Sequence, residues 1–223
     1  MRKILLRIGL GLLIVGALLA GWILFDLNAP QKVDIREFDA DEVARLDTAM
    51  WRSYYSRERL QMYRELTELL EKQYKFRFWR RQLVAFYAAR AAFVFKDGHS
   101  RSDYEKALPD LENFYGQIRD VSTTDFDVRR AAELELEWWI VHRERDKYEE
   151  GDLALALAEG AAAIYKMPVE DFLEYGRFRA DAMEIRDTRA ETGGVSEEDW
   201  QKIDDLLHRS WRSLHSAVKK NKI

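Results

Sequence analysis

The feature that most constrains this chain is an apolar run near its N-terminus. Residues 4–25 carry a single charged side chain, Arg7, and the basic residues Arg2 and Lys3 precede the run. About 20 apolar residues suffice for a helix to cross the hydrocarbon core, and cytoplasmic flanks favour positive charge. We therefore expect a single-pass membrane anchor at residues 4–25, with its N-terminus in the cytoplasm.

A cleaved signal peptide is the alternative interpretation of this run. Only a weak small-residue site follows it, at Leu27, Asn28 and Ala29, and the run is longer than the usual signal-peptide core of roughly 7–15 residues. Under either interpretation, residues 30–223 face the periplasm or the cell exterior. The predicted segments are cytoplasmic residues 1–3, the anchor 4–25, a tether 26–38, an extracytoplasmic helical domain 39–219 and a tail 220–223.

The part of the chain beyond the anchor is acidic. Of the formal net charge of −4, the basic residues at positions 2, 3 and 7 contribute +3, so the remainder carries −7. This balance argues against nucleic-acid binding, because the basic clusters are short and interleaved with acidic residues. The clusters are Arg77, Arg80 and Arg81, and Lys219, Lys220 and Lys222. The absence of cysteine excludes disulfides and cysteine-ligated metal centres.

Beyond the anchor, apolar residues recur at helical spacing, most clearly in AAELELEWWIVHRER, from Ala131 to Arg145. Asp39, Ser102 and Ser196 stand where helix N-caps are expected. No run of residues has the pattern of a strand. We therefore predict an all-α fold in which about seven helices follow the anchor. They span residues 39–73, 74–95, 103–119, 126–148, 152–166, 169–189 and 196–218.

From the second helix onward, the predicted helices form three hairpins at intervals of roughly 45 residues. Small residues at the expected contacts, such as Ala154 and Ala158, and punctuation by Pro168 and Gly151 accompany this pattern. The arrangement resembles tetratricopeptide-like repeats, and the resemblance implies an array of helical hairpins. No pair has that family's period of about 34 residues, so no binding residue is carried over. A compact helical bundle is the alternative.

Several ionisable side chains project toward the predicted interior, and together with a tyrosine they form the candidate site, here called the inward set. Its members are Asp47, Tyr54, Arg80, Arg90, Glu135 and His142. Buried charges require partners, and the arginines are the expected partners of the carboxylates. The inward set is either a structural network that fixes helix register or an acid/base site.

Two further groups of residues suggest other sites. Arg179 and Arg186, flanked by Phe172, Tyr175 and Met183, either line a groove for an acidic partner segment or cover apolar surface with their aliphatic parts. Weak metal candidates lie on the last helix at Asp204, Asp205, His208 and His215. The two histidines are two turns apart and no Glu-x-x-His occurs, so we expect neither a metal nor a cofactor.

No phosphate-binding loop, nucleophile elbow or metalloprotease motif occurs in the sequence. We expect a membrane-anchored extracytoplasmic module that binds another protein in assembly or scaffolding, rather than an enzyme; this requires a groove or an exposed apolar patch. The alternative is a helical-bundle enzyme or small-ligand-binding protein that uses the charges around Glu135 and His142. That alternative requires both residues to line a solvent-reachable cavity.

Overall fold

The protein is helical throughout the described residues. A computed structural model describes residues 2–220, except for the side chains of residues 2, 3, 5 and 6. Within this range there are ten α-helices and no β-strand, which confirms the predicted all-α class. Residues 1 and 221–223 of the predicted end segments lie outside the described part. The helices are α1 Arg2–Asn28, α2 Ala40–Tyr55, α3 Arg59–Tyr74, α4 Phe78–Asp97, α5 Arg101–Tyr104, α6 Leu108–Val121, α7 Val128–Arg143, α8 Asp152–Tyr165, α9 Leu173–Glu191 and α10 Glu197–Lys220.

Helix α1 contains the apolar run. In the described part of the chain, Arg7–Asn28 is the one segment long and apolar enough to cross a membrane, and none of its apolar window is buried inside the protein. A signal sequence has the same length and composition. The membrane anchor therefore remains a prediction.

The predicted helix 39–73 is divided into α2 and α3. Arg57 adopts a left-handed backbone conformation with φ of 63°, which ends α2 and reverses the chain. A single helix of this length would extend about 52 Å; instead α3 folds back and packs on α2, where Leu69 and Leu70 become buried. The turn contains neither glycine nor proline, so no local signal marks it.

The predicted helix 103–119 is also divided. The short α5 and a 3-10 turn at Glu105–Ala107 precede α6, which begins at Leu108. Pro109 stands in the first turn of α6, where its missing N–H removes no intrahelical hydrogen bond. The proline therefore starts a helix instead of disturbing one. These two divisions account for nine helices after α1 in the described chain, where seven are predicted.

Two of the three predicted N-caps are present. The prediction of Ser102 is wrong, because the cap of α5 is Ser100, whose Oγ accepts from Asp103 N–H at 3.3 Å. The Asp39 carboxylate accepts hydrogen bonds from the backbone N–H groups of Asp41 and Glu42, at 3.0 and 3.1 Å. At the start of α10, Asp199 N–H donates to Ser196 Oγ and Ser196 N–H donates to the Asp199 carboxylate, both at 3.1 Å. Each carboxylate or hydroxyl satisfies donors that the first helical turn leaves unpaired.

The helices follow one another around a shared core. Helix α4 packs on α6, and from α6 to α10 each helix packs on the next. Helix α10 also packs on α2, which brings the last helix against the first one after the anchor. The fully buried side chains Leu46, Leu70, Ile118 and Phe172 come from different parts of the chain and meet in this core.

The segment between α1 and α2, where we predict a tether, is packed against the domain. Val33 N–H donates to Val121 O at 2.7 Å, and Thr123 N–H donates to Val33 O at 2.9 Å. The side chains of Ile35 and Phe38 are buried in the core. Their burial, together with these backbone bonds, holds the end of α1 close to the helical domain.

Candidate functional site

An open cleft lies between α2, α4, α7 and α9; it is called the central cleft here. Its volume is about 620 Å³. The turn between α2 and α3 lies at one side of the cleft. The break between these helices, which the sequence does not predict, therefore helps to form the cleft. Glu135 and His142 of α7 both line the cleft, whereas Asp47 lies behind its wall. A cleft of this size is within the usual range for ligand pockets.

Aromatic and methionine side chains form about half of the cleft wall, and ionisable side chains form most of the rest. Met50, Met62 and Met183 come from α2, α3 and α9, and Trp138 and Trp139 come from α7. Methionine is flexible and polarisable, and tryptophan offers a large flat contact area with one polar group. This wall can therefore accept apolar side chains of varied shape.

Glu135 is held by two hydrogen bonds in the cleft. Tyr115 Oη donates to its carboxylate at 2.8 Å and Trp139 Nε1 donates at 3.0 Å. Burial raises the pKa of the Tyr115 hydroxyl well above its usual value, and the neighbouring Glu135 charge raises it further. Tyr115 thus remains a neutral donor. The arginine partners expected for Glu135 are replaced by a tyrosine and a tryptophan.

His142 belongs to a cluster centred on Asp187 of α9. His142 Nε2 lies 2.8 Å from Asp187 Oδ2, and Arg145 Nη1 donates to the same oxygen at 2.8 Å. Arg186 Nη1 donates to Oδ1 at 2.6 Å. Burial alone would raise the pKa of Asp187, but the hydrogen bonds from His142 and Arg186 outweigh it and the pKa is lowered. Asp187 therefore stays ionised and orients His142.

Asp47 forms a separate buried pair beneath the cleft. Arg179 Nη1 donates to its carboxylate at 2.6 Å, and Trp211 Nε1 donates at 2.8 Å. Burial would lower the pKa of Arg179, but the adjacent Asp47 charge raises it. The guanidinium lies 5.5 Å from the ring centre of Trp51, so it is also stacked on the cleft wall. Arg179 is thus the arginine that pairs with Asp47, a role expected of Arg80 and Arg90.

Arg80 and Arg90 do not reach the other members of the inward set. Arg80 is buried, but its guanidinium donates to the backbone carbonyl of Leu27. Arg90 has a half-exposed side chain and pairs with the buried Asp110, with Nη2 to Oδ1 at 2.7 Å. Helix α4 is apolar on nearly every side and lies between α1 and α6, so projection alone cannot tell which neighbour each arginine faces.

Tyr54 is not in the interior. Its side chain is 54% exposed and stands at the cleft mouth, against the ring of Tyr55. Arg179, Arg186 and Met183 line the cleft, whereas Phe172 and Tyr175 do not. Arg186 lies over the Tyr55 ring at 3.3 Å from its centre. Burial raises the pKa of Tyr55 to about 12.

The four metal candidates on α10 do not converge. His208 Nδ1 lies 2.9 Å from the carbonyl oxygen of Asp204, while Asp205 faces Arg209 at 3.7 Å. The His215 ring packs on Phe38 with 5.0 Å between centres. Among the residues that the structure describes, no group of three or more histidines and carboxylates is arranged to hold an ion.

Asp187 and Arg145 are cleft residues that the sequence does not reveal. Asp187 meets His142 and Arg145 from 45 and 42 positions away along the chain, and neither Asp187 nor Arg145 stands out within its own helix. The missing signal is tertiary: α7 and α9 both pack on α8, and this arrangement gives His142 its carboxylate.

No protein-family model matches the chain, and comparison with curated proteins and with solved structures gives no match. The fold and the site define an all-helical domain with an apolar N-terminal helix and an open cleft lined by aromatic and charged side chains.

Proposed function

We propose that the protein is a single-pass membrane-anchored module whose helical domain lies outside the cytoplasm and binds a segment of another protein in the central cleft. The observation that carries the proposal is the open cleft with its methionine and tryptophan wall. The anchor places such a domain at a membrane surface, where it can hold a partner for assembly. Orientation follows from the basic residues before the apolar run.

We further propose that the domain is a closed helical bundle and not an array of tetratricopeptide-like hairpins. The packing of α10 on both α9 and α2 supports this, because an open array leaves its first and last helices apart. In a closed bundle the binding surface is a cleft between helix ends, which fits the position of the central cleft.

The chemistry of the cleft favours a partner segment with apolar side chains next to an acidic residue. Lys96 and Arg143 lie at the cleft edge, and neither forms an ion pair with a carboxylate among residues 2–220. Arg143 instead donates to the carbonyl oxygens of Phe95 and Gly98, at 2.7 and 3.2 Å. Two cationic side chains next to an apolar wall complement a partner segment in which an acidic side chain stands next to an apolar side chain.

The second candidate function is a small-ligand-binding protein or an enzyme that uses Glu135 and His142. The specific observation in its favour is that both residues line a cavity open to solvent, which this alternative requires. Against it, each is engaged by neighbours within the domain: Glu135 by Tyr115 and Trp139, and His142 by Asp187. These hydrogen bonds hold the two side chains in place. Fixed side chains are more consistent with a structural part of the cleft wall than with a reacting group.

A peptide selection tests the proposed function. The full chain in detergent is used to select from a random peptide library, and the affinity of selected peptides is measured by fluorescence anisotropy. Ala92→Trp fills the cleft from an exposed position; we expect it to weaken binding by at least about tenfold, or about 1.4 kcal/mol. Gln201→Trp, exposed on α10 outside the cleft, is the matched control.

The proposal predicts selected peptides that combine a large apolar side chain with Asp or Glu, and unchanged binding to Gln201→Trp. Equal affinity for the wild type and Ala92→Trp would contradict it. Selection of basic or wholly polar peptides would contradict the proposed partner chemistry.

A further inference from the structure

The junction between α1 and α4 is a built structure. Asp26 Oδ1, near the end of α1, accepts hydrogen bonds from the backbone N–H groups of Trp79 and Arg80, at 3.2 and 3.1 Å. The Arg80 guanidinium in turn donates to Leu27 O. The carboxylate thus caps the first turn of α4 and fixes the helix to the last turn of the apolar run.

Aromatic side chains gather at the same junction. The ring of Trp22 lies 5.8 Å from that of Phe78 and 5.4 Å from that of Trp79, measured between centres. Trp22, Phe25 and Phe78 remain substantially exposed. Exposed tryptophan and phenylalanine at the end of an apolar run are typical of the membrane–water interface.

Hydrogen-bond donors without acceptors cluster here. Arg77 Nη1, Trp79 Nε1 and Arg80 Nε are buried and have no partner. The Arg80 side chain is 7% exposed, and neither arginine forms an ion pair with a carboxylate among the described residues. A buried donor without a partner costs about 1–3 kcal/mol. Three such donors within four consecutive residues indicate a missing acceptor.

An anion with several oxygens can satisfy all three donors. Two guanidinium groups and an indole N–H present only donors, and arginine binds phosphate through paired hydrogen bonds. The guanidinium of Arg77 also lies 5.6 Å from the ring centre of Phe25, the last residue of the apolar run. An acceptor reached from this position is level with lipid headgroups if α1 spans the membrane.

We propose that Arg77, Arg80 and Trp79 form a binding site for the phosphate of a phospholipid headgroup at the α1–α4 junction. This inference rests on the proposed membrane anchor and is independent of the central cleft, which none of these residues lines. The bound headgroup, with the Asp26 cap, holds the domain in one orientation on the membrane surface.

Native mass spectrometry of the full chain in detergent tests the site. The protein is given phosphatidylglycerol or a diacylglycerol of the same chains, which lacks phosphate, and the retained lipid is counted. We expect at least about fivefold more retention of phosphatidylglycerol, and we expect Arg77→Gln to remove this preference. Arg59→Gln is the matched control, because Arg59 is exposed at the start of α3 and away from the junction.

Equal retention of phosphatidylglycerol by the wild type and Arg77→Gln would overturn the site. Complete displacement of the lipid by millimolar inorganic phosphate would also overturn the assignment to a headgroup, because the site would then take the free ion. Peptide binding in the central cleft is measured in the same preparations. A wild-type protein that retains phosphatidylglycerol and the diacylglycerol equally but still binds peptide therefore refutes this site and leaves the proposed function standing.

Discussion

Asp47 is the most deeply buried carboxylate next to the cleft, with 1% of its surface exposed. It holds the Arg179 guanidinium under the cleft wall and accepts from Trp211 Nε1 at 2.8 Å. Removing one member of a buried pair leaves the other charge without compensation. At the residue scale, we therefore expect substitution within this pair to destabilise the domain most.

We predict that Asp47→Ala lowers the free energy of unfolding by about 3–5 kcal/mol. The measurement is denaturant unfolding of the full chain in detergent, followed by tryptophan fluorescence. Asp41→Ala, which breaks an exposed pair with Arg212, is the control, with an expected loss below about 1 kcal/mol. Similar losses in the two variants would show that the Asp47 pair is not buried as described.

The lowered pKa of Asp187 leads to a prediction about how stability changes at acidic pH. Its pKa is lowered in the folded protein, so its ionised form stabilises the fold above the unfolded pKa of about 3.9, and this contribution is lost as the pH falls through the folded value. We expect Asp187→Asn to cost about 1–2 kcal/mol at pH 7. The loss of unfolding free energy caused by Asp187→Asn should disappear as the pH approaches the lowest value at which the protein folds.

The measurement is the difference in unfolding free energy between wild type and Asp187→Asn across pH. Asp146→Asn is the control, because Asp146 is exposed and outside the cluster. A difference that grows as the pH falls has the opposite sign and would contradict the assignment.

At this scale the sequence predicts burial better than pairing. Asp47, Glu135 and His142 are correctly expected near the interior or the cleft, because helical projection fixes their direction relative to the apolar neighbours. Their partners are not predicted. Asp187, Arg179 and Tyr115 reach them from other helices, and projection of one helix carries no information about the next.

At the scale of elements, the closest helix contact is that of α8 with α9. A Cβ added to Gly176 would lie 2.0 Å from Ala154 O and 3.3 Å from Ala158 N. The alanines predicted to permit close approach are therefore at the contact, and the glycine that faces them allows backbone to meet backbone. This contact positions Arg179, one turn further along α9, beneath the cleft.

We predict that Gly176→Ala destabilises the protein by about 1–3 kcal/mol or more, because α8 and α9 must separate. Gly160→Ala on α8 is the matched control: its added Cβ meets no atom within 4 Å. Removing a helical glycine there should stabilise by about 0.5–1 kcal/mol. Thermal unfolding of the two variants gives the comparison, and a loss of stability in both would refute the role of the contact.

Helix existence is predicted well because apolar spacing and caps are local properties. Asp39 and Ser196 mark starts that the structure keeps within a residue. The break at residues 56–58 is not predicted, since Arg57 takes its left-handed conformation without a glycine. Its cause is tertiary: packing α3 on α2 buries more apolar surface than one long helix.

At the scale of the whole molecule, the fold closes by bringing α10 against α2, and the cleft lies where helices α2, α4, α7 and α9 surround it. No sequence pattern predicts this closure, because the packing of α10 on α2 joins residues at opposite ends of the domain. The Asp26 cap and the packed segment before α2 connect the same body firmly to α1.

The most direct test of this account is cysteine labelling in native membranes. The chain has no cysteine, so Ala92→Cys in the cleft and Gln201→Cys on α10 are clean single-site reporters. A membrane-impermeant maleimide is applied to the extracytoplasmic side of intact cells, and again to the purified protein. The account predicts that Gln201→Cys is labelled at similar rates in intact cells and in the purified protein. It predicts that Ala92→Cys is labelled slowly in cells and faster after purification. Labelling of Gln201→Cys only after the cells are permeabilised, or equal rates for Ala92→Cys in cells and after purification, would contradict it.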